Sequence, residues 1–105
     1  MSWAILLLAS VFEIAFAIGL KYSQGLTRPL ATTFAAVSGL MGMGLLAFAL
    51  KSLPVGTAYA IWTGIGTIGT AVLGMIFLKE PISAARLVCI AMVVTGIVGL
   101  KLATP

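Results

Sequence analysis

The sequence contains no histidine, one cysteine and only two acidic residues in 105 positions. Without histidine, a histidine-ligated metal or a histidine acid–base centre is excluded. Cys89 has no intrachain partner for a disulfide and lies in an apolar run, so it reads as a small core hydrophobe. Charge is scarce, at 8% of residues, where a soluble domain carries about a quarter. With 62% hydrophobic residues and a mean hydropathy of +1.26, the chain is poorly suited to a water-facing surface. It also lacks a phosphate-binding loop, a nucleophile–base pair and metal-ligand spacing. We therefore expect neither an enzyme nor a bound cofactor or metal. The net charge of +4 sits in the gaps between apolar runs and does not argue for nucleic acid.

The few charges that are present act as a ruler. They are Glu13, Lys21, Arg28, Lys51, Lys79, Glu80, Arg86 and Lys101. All but Glu13 fall in or beside the gaps between apolar runs at about 2–20, 30–50, 55–78 and 86–103. Each run approaches the roughly 20 residues that cross a bilayer as a helix. The fourth is trimmed by Arg86 and Lys101, whose long stems can snorkel to the headgroups. The expected fold is an all-α membrane protein with four transmembrane helices forming one domain over residues 1–105. Ala15-Phe16-Ala17 resembles a signal-peptide cleavage site, but no Lys or Arg precedes it and Glu13 interrupts the run. The first helix is expected to remain in place.

The links are short. Gly25 and Pro29 suit a turn followed by a helix start. Pro81 ends the third run, because a proline disfavours helix at the residue before it. With four spans, Lys51, Lys101 and the N-terminal amine share one side. Lys21, Arg28, Lys79 and Arg86 share the other. This bias is too small to choose between one fixed orientation and insertion both ways. Glycines recur in the last three helices and favour close helix packing in lipid. Gly64 and Gly66 suit a bend in the third helix, and Gly96 and Gly99 suit packing between chains. The chain has no internal repeat, and transporters work with two halves about a central site. An antiparallel homodimer would supply those halves.

Glu13 is the exception to the ruler. It lies twelve residues into the first run, near the bilayer midplane at about 1.5 Å per residue. A charged carboxylate there costs at least a few kcal/mol. No other ionisable group sits at that depth, so its counter-charge must be a proton or a cation from outside the chain. Ser10 and Ala17 lie one turn away, on the stripe that also holds Phe16, and the Ser10 hydroxyl can reach the carboxylate. Tyr59, Trp62, Thr63 and Gly66 form a second stripe on the third helix. Tyr59 also suits an interfacial aromatic belt; Trp62, a turn deeper, suits a cavity wall.

Glu13 is followed by LKYSQGLTR (Leu20 to Arg28), LPVGTAYAIWTGIG (Leu53 to Gly66), KEP (Lys79 to Pro81) and GIVGLK (Gly96 to Lys101). On these segments the chain resembles the small multidrug resistance family along its whole length, and within it the guanidinium-exporter branch. The resemblance implies an antiparallel, dual-topology homodimer in the bacterial inner membrane. It also implies that two Glu13 carboxylates bind protons or guanidinyl cations in turn, driving export. A broader exporter of quaternary ammonium and aromatic cations is the alternative. Three positions depart from the branch pattern. Ser10 replaces the usual Gly, Phe16 the usual Trp, and Gly42 a Ser that commonly supports the central Glu. Ser10 is placed to restore the hydrogen bond lost at Gly42. Phe16 implies a roomier, less polar cavity.

Overall fold

The computed structural model describes residues 2–104. The N-terminal amine of the charge tally belongs to Met1 and lies outside the described residues. Four helices run α1 Ser2–Tyr22, α2 Pro29–Ala49, α3 Val55–Phe77 and α4 Ala84–Ala103. All four are long and apolar enough to cross a membrane. Their ends follow local chemistry. Pro29 opens α2, where its missing N–H costs nothing. The α1–α2 link turns through Gln24, Gly25 and Leu26, all at positive φ. Ser23 closes it by accepting the Leu26 N–H and donating to the Leu20 carbonyl. The fourth helix starts two residues earlier than the charge ruler places it. Ser83 is the reason: its hydroxyl accepts the Arg86 N–H at 3.2 Å and caps the helix. Ser83→Ala is expected to cost about 1 kcal/mol, readable as a lower thermal midpoint in detergent with unchanged transport.

The helices α1, α2 and α3 form the packed body, while the backbone of α4 approaches α3 alone. The buried core is narrow: Leu6, Ala9, Leu46, Ala49, Ala58 and Ile61. Half of these are alanines, which let backbones come close where lipid removes the hydrophobic drive between helices. A close approach occurs at Gly19, where an added Cβ would sit 3.2 Å from the Ala35 Cα. Large apolar side chains elsewhere, such as Leu30, Leu40, Val88 and Met92, are exposed, as lipid-facing residues must be. The N-terminal end of α1 meets the α2–α3 link through the Ser2 and Ser52 hydroxyls. Thr57 and Thr104 pair at 3.3 Å at the same end. Lys51 stacks over Phe48 and Lys101 over Trp3 there, at 4.8 and 5.0 Å from the ring centres. Lys21, Arg28, Lys79 and Arg86 lie toward the opposite end.

The helix α3 is continuous through Gly64 and Gly66. Gly64 seats Ile97 of α4, whose Cδ1 would lie 2.9 Å from an added Cβ. It is a packing position between α3 and α4.

Candidate functional site

Glu13 is partly buried where α1 faces α3. Gly66 makes room for it: an added Cβ would lie 2.5 Å from the Glu13 Cγ. The carboxylate borders two cavities. The larger, about 550 Å³, is lined by Glu13, Phe16, Gly39, Gly42, Met43, Tyr59, Trp62 and Thr63 with their neighbours on α2. Its lining includes one acid and no basic side chain. The second, about 390 Å³, runs from Glu13 past Ala17, Gly66 and a row of α3 threonines to Glu80 and Arg86.

The aromatic wall is ordered by its contacts. Trp62 donates its indole N–H to the Ala9 carbonyl at 3.2 Å, tying α3 to α1. Tyr59 and Trp62 meet at 5.5 Å between ring centres, tilted by 58°, within the contact range of aromatic pairs. Phe16 lies against Gly39, where an added Cβ would be 2.8 Å from its Cδ1. Three rings therefore surround the space beside Glu13. Thr63 donates to the Tyr59 carbonyl at 2.7 Å, so its hydroxyl oxygen remains free to accept.

Ser10, an expected neighbour of the carboxylate, sits differently. Ser10 is fully buried and donates to the Leu6 carbonyl at 2.9 Å; it does not line the cavity. A serine in a helix interior finds its own i−4 carbonyl ready-made, so Ser10 does not replace the support lost at Gly42. Gly42 itself is buried against α1, with an added Cβ only 3.3 Å from the Ala9 carbonyl. A serine there would be a tight fit, and glycine eases the close approach of α1 and α2. Ala17 and Gly66 border the second cavity rather than the first. Gly96 and Gly99 lie on an open face of α4, with nothing within 4 Å of an added Cβ.

One site feature was missed from the sequence. Arg86, whose stem the sequence sends toward the headgroups, pairs with Glu80 at 3.2 Å. The signal was available in the six-residue spacing across the Pro81 turn, but only the turn's geometry brings the two side chains together.

The comparisons with known proteins place the chain in a family. The family model described as Small Multidrug Resistance protein matches residues 1–93. The chain is 48% identical over 104 residues to the guanidinium exporter of Escherichia coli (strain K12), covering 99% of each chain. It is 50% identical to the guanidinium exporter of Proteus vulgaris, with 99% of this chain and 100% of the other covered. Against the guanidinium exporter of Yersinia pestis the identity is 49% over the same 104 residues. With a family match across most of its length and relatives matched end to end, this four-helix membrane chain belongs to the small multidrug resistance family, a family of transporters and not of enzymes.

Proposed function

We propose that this protein is a proton-coupled exporter of guanidinium and of small, singly substituted guanidinyl cations. The observation that carries the reading is the site itself. A single carboxylate opens onto a cavity walled by three aromatic rings, with no basic side chain in its lining. A guanidinium fits that chemistry on both counts. Its paired N–H donors match a carboxylate bidentately, and its flat face stacks on aromatic rings. The relatives named guanidinium exporters support the same substrate.

The working unit in this reading is an antiparallel, dual-topology homodimer in the bacterial inner membrane. No residue of α4 is buried in the single chain, and its open face carries Gly96 and Gly99, which suit close helix contact with a second copy. The near balance of basic residues between the two ends suits insertion both ways. Two Glu13 carboxylates then share one central space and titrate as a coupled unit. Protons and cation compete for the same acids. Inward proton movement empties the site of cation on the outside, and cation binding from the inside displaces protons.

Liposome reconstitution tests the substrate. Capacitive currents are expected for guanidinium and for guanylurea, because Phe16 leaves space beside Glu13. Tetraphenylphosphonium is expected to give none. Currents for guanidinium alone would show that the smaller ring does not widen selectivity. Tetraphenylphosphonium currents of similar size would favour the broader multidrug reading.

A further inference from the structure

The second cavity already has a guanidinium-bearing side chain in its lining: Arg86. Its Nη2 donates to the Glu80 Oε1 at 3.2 Å, in the cavity that also reaches Glu13. We infer that Glu80 is a second guanidinium-accepting site at the mouth of this cavity, and that Arg86 is its resident occupant, displaced by a transported cation. The inference rests on the guanidinium-exporter reading and adds a waiting position to it.

The placement of the pair is not explained by helix stability. Arg86 stands in the first turn of α4, where a cation opposes the helix dipole, and Glu80 follows the C-terminal end of α3, where an anion does. The carboxylate is held there by backbone design. Lys79 adopts a left-handed conformation, φ 56°, so that the Glu80 N–H returns to the Gly74 carbonyl at 3.1 Å. Gly74 has no Cβ, and one added there would collide with the Glu80 carboxylate. Glycine at that position lets the acid fold in under α3.

The pair is also built to exchange. A single hydrogen bond joins it, where a carboxylate and a guanidinium can form two. Both side chains are more than a third exposed, 35% for Arg86 and 40% for Glu80, and such pairs hold weakly. Between Glu80 and Glu13 the lining presents Thr67 and Thr70, with Thr63 a turn further along α3 beside Glu13. Thr63 and Thr67 spend their hydroxyl protons on the Tyr59 and Thr63 carbonyls. Their oxygens are therefore left as acceptors. A guanidinium has donors only, so a lane of acceptors joins the two carboxylates.

The test is the concentration dependence of guanidinium currents in proteoliposomes. Arg86→Gln removes the resident competitor and is expected to lower the half-saturating concentration by about two- to fivefold, the range of a half-exposed ion pair. Glu80→Gln removes the acceptor and is expected to raise it by a similar factor. The double variant should behave as Glu80→Gln alone, since a competitor has no effect on a missing site. Lys21→Gln is the control, because it removes an exposed positive charge at the same end of the bundle, outside the cavity lining. It should leave the half-saturating concentration unchanged. If Lys21→Gln shifts it as much as Arg86→Gln does, general surface charge is responsible and the inference falls. It falls equally if Arg86→Gln has no effect or raises the value, and that variant decides alone should Glu80→Gln not assemble. Wild-type protein without guanidinium current would overturn the exporter reading and this inference together. Wild-type current with unshifted variants would overturn the inference only.

Discussion

Replacing Glu13 with Gln is expected to abolish guanidinium currents while leaving a folded protein. The substitution keeps the size and shape of the side chain, while one carboxylate oxygen becomes an amide NH2. The negative charge is lost with no change of volume, so the bordering helices keep their packing. That charge is the sole anionic group lining the aromatic cavity. Removing one partner of a desolvated charge pair costs about 2–5 kcal/mol, which is more than tenfold in binding. The proton-binding group disappears in the same step, so coupling is lost with affinity. Size-exclusion elution should match wild type, and the capacitive current should fall to the level of empty liposomes. Mixing reports on the dimer. If both carboxylates of a pair are needed, current falls with the square of the wild-type fraction when the two proteins are co-reconstituted. A linear fall would mean that each chain works alone. Persistent transport by the pure Glu13→Gln protein would sink the mechanism.

Gly66→Ala is expected to be nearly as damaging to transport although it removes no functional group. Two effects oppose each other in stability. Alanine is the better helix residue by about 1 kcal/mol, while overpacking an occupied contact costs about 1–3 kcal/mol. The net loss is small enough for the protein to fold. The new methyl nevertheless falls 2.5 Å from the Glu13 Cγ and 3.4 Å from its Cβ. These atoms are the root of the side chain, so a rotation of the carboxylate alone does not relieve the contact. Either the side chain changes rotamer or α1 and α3 separate. Separation also strains the hydrogen bond from Trp62 to the Ala9 carbonyl. Both outcomes move the acid away from the aromatic wall. Loss of most of the current with a thermal midpoint near wild type is the expected pair of results. A variant with wild-type currents would show that the carboxylate does not depend on the Gly66 contact for its position.

The legible part of the site was the part that carries charge or bulk. Glu13 stood out because every other ionisable residue marks the end of a span. Tyr59, Trp62 and Thr63 lie at helical spacing on one stripe, and Phe16 lies one turn from Glu13; the cavity brings these five together with Gly42. The residues that behaved otherwise are the small ones. Ser10 shares the stripe of Glu13, yet its hydroxyl is taken by its own helix. Gly64 receives Ile97 of α4, a contact that its place in the helix does not announce. Gly42 suggested a missing hydrogen bond and proves to be a point of close approach between α1 and α2. For such residues the side chain says little, because their role is set by what comes near them.

By itself, then, the sequence determined the solvent, the spans and the central acid. Hydropathy and charge placement fix these through the cost of moving single residues between water and lipid, and that cost depends only on residue type and position along the helix. Tertiary structure alone decided which face of each helix meets which neighbour. It seated Glu13 on Gly66, turned Ser10 to Leu6, and folded Glu80 back beneath α3 to meet Arg86. Those outcomes depend on separations of a few ångströms between segments distant in the chain. In lipid such separations are set by the fit of small side chains, since burial of apolar surface scarcely distinguishes one helix face from another.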